Sequence, residues 1–306
     1  MGLTLRPDAH ETPVEPFNLL NLPLQGYLDI ATVAGGLEGI LMASWKSGRF
    51  VRFVGCSIAA NVFLMGTLHA QGRGRGPAGP PPTPKAAAPI DLAGYWVSIV
   101  TEDWRWRMVT PPKGDYASVP LNTEGRKVAD TWNPAKDEAA GEQCKSYGAA
   151  GLMRVPGRIH ILWENDTTLH VDTDAGTQTR IFHFGEQAPP SQAPSWQGYA
   201  AARWEPMPAG RGILGFPDQE VPSGALKVVT THLRAGYLRK NGVPYSENAE
   251  LTEYYNVTRE PNGDQWLFVT TIVEDPKYLN QPFITSTHFK KEPDGSKWSA
   301  TPCTSR

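Results

Sequence analysis

The chain has 306 residues, enough for one large domain or two ordinary ones and for a substantial core. Ten Trp, ten Tyr and ten Phe beside 30 Gly and 28 Pro favour many short strands joined by tight turns over long helices. A formal charge of −2 leaves no overall cationic footprint, which argues against nucleic acid as a partner.

Residues 1–70 read as a leader. From Met42, the cations Lys46, Arg49 and Arg52 precede the apolar run VGCSIAANVFLMGTL, and a small residue, Ala70, stands before Gln71. That is the layout of a secretory signal peptide over 42–70. Asp29 and Glu38 interrupt the apolar residues before Met42, so translation is expected to begin at Met42, with residues 1–41 an upstream misreading of the gene. The apolar run over 53–68 is shorter than the about 20 residues a membrane helix needs. Arg52 lies too close to Cys56 for a lipidation signal. No stable membrane insertion is expected after the leader is removed. Residues 71–89, QGRGRGPAGPPPTPKAAAP, have no apolar period and read as a flexible or partly polyproline linker.

From Ile90 to the end at 306 the apolar period is close to two. GYWVSIVT, RIHILWE, TTLHVDT, TQTRIFHF, WQGYAAARW, ALKVVTTHL, LTEYYNVT, WLFVTTIV and PFITSTHF are short runs rich in β-branched and aromatic residues, with turn residues between them. EDWRWRM, residues 102–108, reads as a further strand, with Trp104, Trp106 and Met108 on one face and Arg105 and Arg107 on the other. Nine or ten strands over about 215 residues predict a single antiparallel barrel, which removes sheet edges by closing. One short helix is expected near 122–132, opened by Asn122 as N-cap and ended before Pro134. EPNGDQW at 260–266 and EPDGSKW at 292–298 predict two similar turns, each followed by a Trp that starts a returning strand. Once the leader is gone, Cys144 and Cys303 are the cysteines left, and an even pair in an exported chain suggests a disulfide; two unrelated buried thiols are the alternative.

Gly94, Tyr95 and Trp96 open the first strand after the linker. This resembles the Gly-x-Trp signature of lipocalins and related calycin barrels, in which the Trp closes one end of a ligand-holding cup; calycins place an arginine over it from near the last strand, and Lys290 and Lys291 occupy that neighbourhood here. The longer pattern from YWVSIVTEDWRWRMVTPPKGDY to DPKYLNQPFITSTHFKKEPDGSKW also resembles a family of exported bacterial proteins without an assigned activity.

In such a cup Trp96, Trp104 and Trp106 shape an apolar wall, Arg105 or Arg107 meets an acidic group if that face is inward, and Tyr116 sits at the rim. Glu253 shares a face with Leu251, Tyr255 and Val257; inward, near His183 or His288, it is a candidate for acid–base work, and outward it is simply wetted. His160, His170, His183, His232 and His288 all fall in expected strands without the close spacing of a metal motif, so neither a metal nor another cofactor is expected. The reading is an all-β, lipocalin/calycin-like barrel, periplasmic or secreted, that binds a small amphiphilic or anionic molecule in an aromatic-lined cavity. The alternatives are an isomerase- or lyase-type enzyme using the same pocket through Glu253 and a strand histidine, and an envelope structural protein without a pocket.

Overall fold

The computed structural model of the protein describes residues 80–185, 187–207 and 223–306. The leader, with its expected start at Met42 and cleavage after Ala70, lies outside the described residues, as does the linker up to residue 79. The described end of the linker is already fastened down: the Pro84 oxygen accepts from Trp204 Nε1 at 2.7 Å, and the Lys85 amide donates to the Asp166 oxygen.

The strands are β1 (Gly94–Ile99), β2 (Arg158–Trp163), β3 (Thr168–Thr173), β4 (Gln178–Phe184), β5 (Tyr199–Pro206), β6 (Gly224–Thr231), β7 (Gly236–Arg239), β8 (Val243–Tyr245), β9 (Glu250–Arg259), β10 (Gln265–Glu274) and β11 (Phe283–Glu292). Nine of them close a barrel in the order β1-β11-β10-β9-β6-β5-β4-β3-β2, while β7 and β8 form a separate hairpin. Alternation sends one side chain in two to the interior, where Trp96, Ile161, Phe182, Leu226, Leu267 and Phe289 belong to one buried apolar cluster. Trp96 Nε1 stays satisfied by donating to the Leu92 oxygen at 2.9 Å.

The barrel is not purely antiparallel. β4 and β5 pair in parallel, Phe182 opposite Ala200 and Phe184 opposite Ala202. The reason lies between them: fourteen residues, GEQAPPSQAPSWQG at 185–198, are too long for a tight hairpin and carry the chain back to the end from which β4 started. The first Pro-Asn-Gly turn joins β9 to β10 as expected, with Gly263 at φ 89° and the Asp264 amide held by Asn262 Oδ1. The second starts no returning strand, because Trp298 folds against the ring of Tyr95, itself stacked at 4.0 Å on His160.

One end of the barrel carries a cap built from two excursions of the chain. Between β1 and β2 come α1 (Trp104–Arg107), α2 (Thr123–Asp130), α3 (Pro134–Ala139), a 3₁₀ turn at Gln143–Tyr147 and α4 (Ala149–Leu152). Between β6 and β9 comes the β7/β8 hairpin. Leu121, Ala129, Leu238, Val243, Tyr245 and Phe283 belong to a second buried cluster that joins them. The expected helix at 122–132 is α2, and Asn122 caps it by accepting from the Gly125 amide at 2.8 Å. The expectation of a single helix is corrected: Pro134 ends nothing but occupies the first turn of α3, where its missing N–H is harmless, with Asn133 as cap.

The strand expected at 102–108 is also corrected. Asp103 takes φ 51° and turns the chain into α1, so side chains follow a helical period. Trp104 and Met108 point to solvent, 63% and 61% exposed, while Arg107 is 8% exposed. Three acceptors fix that outcome, since Arg107 donates to the Arg154 oxygen, to Glu102 and to Ser98 Oγ. Among the described residues no helix is long and apolar enough to cross a membrane.

Candidate functional site

The barrel interior holds a polar layer. Arg180 and Glu253 are fully buried there, with Arg180 Nη1 donating to Glu253 Oε1 at 2.9 Å and Nη2 lying 2.7 Å from Oε2, off the line of its N–H. Arg180 also donates to Tyr255 Oη and Thr230 Oγ1. Burial disfavours the Arg180 charge, but Glu253 more than restores it and the guanidinium pKa is raised. Burial, then Glu253, pushes the Tyr255 phenol well up.

Glu253 therefore faces inward, but it meets Arg180 and no histidine. His183 lies between the inward Phe182 and Phe184, so alternation turns it outward, where it stacks on Tyr199 at 4.6 Å. His288 lies between the buried Thr287 and Phe289 and faces outward too, 3.6 Å from Glu102 and edge-on to Phe268. Burial and the Arg107 charge lower its pKa. An acid–base site joining Glu253 to either histidine does not form. His232 falls just past β6, at φ 55°. Among the described residues no three metal-ligating side chains gather.

The cap contains a cleft of about 400 Å³. Its walls come from five places: α1 and the residues after it, the segment 146–156, Ala175 in the β3–β4 turn, the β7/β8 hairpin, and the C-terminal residues 301–304. The hairpin turn Lys240-Asn241-Gly242 is held firmly. Gly242 has φ 82° and lies flat on Trp132, where a Cβ would come within 2.2 Å of the Trp132 side chain. The buried Asn241 donates to the oxygens of Pro112 and Asp115. This turn delivers Arg239 and Lys240 to the cleft.

Four cationic side chains line the space: Arg107, Arg154, Arg239 and Lys240. Arg107 pairs with Glu102, and Arg154 Nη2 with Asp103 at 2.9 Å. Arg239 donates from Nη1 to the Ala117 oxygen at 2.7 Å and lies over the rings of Trp106, at 4.9 Å, and Phe283. Arg154 Nη1 and Arg239 Nε and Nη2 are buried without a hydrogen-bond partner among the described residues. Burial, and then repulsion from Arg154, presses the pKa of Arg107 and of Arg239 down to about 10. Lys240 Nζ donates to Tyr147 Oη at 2.7 Å. Burial alone would raise the Tyr147 pKa, but the hydrogen bonds from Lys240 and with Thr304 outweigh it and lower it.

Of the residues singled out in the sequence, the cleft brings together Trp106 and Arg107. The Trp106 ring carries the guanidinium groups of both Arg105, at 5.3 Å, and Arg239, at 4.9 Å, so it helps position Arg239 as well as walling the cleft. Arg105 is mostly exposed and bound to Asp115 at 2.6 Å. Trp104 projects into solvent. Tyr116 is buried in the cap, donating to Asp130 Oδ1, and burial together with Asp130 raises its pKa to about 12. Trp96 belongs to the barrel interior, with Lys291 Nζ 4.9 Å above its ring. Cys144 and Cys303 form a disulfide with Cα atoms 5.1 Å apart.

Tyr147, Arg154, Arg239 and Lys240 escape the strand-based reading. Arg239 and Lys240 had a usable signal, the Asn241-Gly242 pair between GYLR and VPY, which marks a tight hairpin. Arg154, in the irregular stretch LMRVPGR, had none. No protein-family model, curated protein or solved structure matches the chain.

Proposed function

We propose that the protein is an exported, calycin-like barrel that binds a small anionic or amphiphilic molecule, and that the ligand occupies the cap cleft rather than the barrel lumen. The observation that carries this reading is a cleft lined by four cationic side chains, two of which, Arg154 and Arg239, keep buried N–H groups with no acceptor among the described residues. A buried donor left unpaired costs about 1–3 kcal/mol, and more when charged. An oxyanion in the cleft brings a counter-charge to those guanidinium groups, whose planar fork suits it. The signal-peptide layout and the disulfide support export, since disulfides persist in oxidising compartments. The Lys291 ammonium above Trp96, where calycins carry an arginine, supports the calycin likeness. Benzoate at about a hundred times its dissociation constant is expected to stabilise the fold by about 2.7 kcal/mol. That raises the melting temperature by about 5–10 °C for a domain of this size, and Arg239→Gln abolishes the shift. Melting temperatures indifferent to every aromatic carboxylate, sulfate and phosphate tried would rule the reading out.

The contact between Tyr147 and Lys240 favours a second reading, in which the cleft also does acid–base chemistry, with Tyr147 in the role the sequence suggested for Glu253. Ultraviolet titration checks its premise. One phenol should ionise below the others, disappear in Tyr147→Phe and move to higher pH in Lys240→Met. A Tyr147→Phe protein with an unchanged titration removes the basis for this reading.

A further inference from the structure

We propose that the outward face of α1 docks the protein on an anionic lipid surface. Exposed apolar side chains are the first ground. Trp104 and Met108 stand four apart on one helical turn, the Met108 amide donating to the Trp104 oxygen at 2.9 Å, so their side chains share a face. Both project into water, and Val109 after them is 64% exposed. The other exposed large apolar residues among those described, Ile181, Met207 and Ile284, stand singly along the chain. A lone exposed apolar residue is ordinary, whereas three within six positions mark an interaction surface. The opposite face fixes the turn. Arg107 is held by Ser98, Glu102 and the Arg154 oxygen, and Trp106 Nε1 donates to Asp115 Oδ1 at 3.2 Å. The patch therefore rides on backbone that is already ordered, and docking orders little more than its side chains.

Size and charge identify what covers it. A stable protein interface takes about 800 Å² from each partner, more than three side chains on a single turn supply. A bilayer needs only a few apolar side chains to enter its headgroup layer, the depth that Trp favours, and a protein held this way lies on the membrane without spanning it. The charges of the same segment are sorted by exposure. The Arg105 side chain is 62% exposed while its partner Asp115 is 13% exposed. Lys113, also exposed, makes no ion pair among the described residues. Glu102 and Asp103 are held by Arg107 and Arg154 on the cleft side. The apolar patch thus has cations toward solvent and acids behind it, which suits anionic headgroups. Met108 and Val109 also line the cleft, so a docked molecule holds the cleft mouth at the lipid surface. The docking itself does not depend on what the cleft binds.

Co-sedimentation of the disulfide-intact protein with two kinds of vesicle tests this, one of phosphatidylcholine alone and one with about a third of it replaced by phosphatidylglycerol. Binding to the anionic vesicles is expected to be about 25-fold tighter, from two cations at about fivefold each. Trp104→Ala combined with Met108→Ser should weaken that binding by about tenfold or more. Arg105→Gln should keep the apolar contribution and reduce the preference for anionic vesicles to about fivefold. All three side chains are exposed, so the variants should keep the fold, and thermal melts matching the parent's check that they do. Vesicle binding retained in full by the Trp104/Met108 variant overturns α1 as the docking element. Equal binding to the two vesicle types overturns the anionic surface. Binding to neither overturns the proposal and leaves the exposed patch to a protein partner. None of these results alters the melting shift expected with benzoate, so a failure here is distinct from a failure of the anion site.

Discussion

Glu253→Gln is expected to destabilise the protein by about 3–5 kcal/mol in urea unfolding, and Arg180→Met combined with Glu253→Leu to recover most of that loss. The reason is the position of the pair. Both side chains are fully buried inside the barrel, and Glu253 is the carboxylate that balances Arg180. An amide in its place leaves a guanidinium that cannot shed its proton at any pH the fold survives. Tyr255 and Thr230 offer it hydroxyl oxygens, which solvate a charge without neutralising it. Removing both charges leaves an apolar site among Phe182, Leu226 and Tyr255, and exchanges of that kind are often neutral or stabilising. The double-mutant cycle therefore isolates the pair itself. A surface carboxylate waiting for a substrate behaves otherwise: Glu253→Gln would then change activity and leave the urea midpoint in place. Stability unchanged by the single substitution would sink the structural assignment of Glu253.

How far the fold is legible in the sequence depends on the length of each run. β9, β10 and β11 are ten residues each, with every second residue buried over seven or more of them, and at that length a period of two has no rival. EDWRWRM alternates over five, and there one turn of helix fits equally well. What decides is tertiary: Glu102, Ser98 and the Arg154 oxygen gather around Arg107, and Arg154 lies 47 residues further on. The disulfide was legible from cysteine count, and α2 from its Asn122 cap. The cleft was legible in part. Cationic side chains near an aromatic were visible in Arg105, Trp106 and Arg107, but the donors left open belong to Arg154 and Arg239, on segments with no strand or helix period of useful length. Burial of a charge is a property of the assembled fold. The sequence around Arg239 marks it as an ordinary exposed turn residue.

Reducing the disulfide, or replacing Cys144 and Cys303 together by Ser, is expected to cost about 5 kcal/mol in the chain-entropy model and to lower the melting temperature by about 10–20 °C. The cross-link spans 159 residues and so encloses every barrel strand except β1. Losing it frees an unfolded loop of nearly that length. The native consequence is confined to the cleft, because the bond joins two of its walls. Ser146 and Tyr147 follow Cys144 in the 3₁₀ turn, while Thr301, Pro302 and Thr304 flank Cys303. The two ends of the tail are not equally dependent on the bond. Thr301 is tied independently, its amide donating to the Asp174 oxygen at 2.8 Å and its oxygen accepting from the Gly176 amide at 3.0 Å. Thr304 has the side chains of Tyr147 and Lys240, which themselves line the cleft. Hydrogen exchange on the reduced protein below its melting range should thus show Thr301 and Gly176 still protected and Thr304 released. Affinity for benzoate should fall with that release, since Lys240 loses the hydroxyl that helps hold it at the cleft wall. Uniform loss of protection from 301 to 306, or affinity unaffected by reduction, would show that the cross-link stabilises the barrel without shaping the cleft.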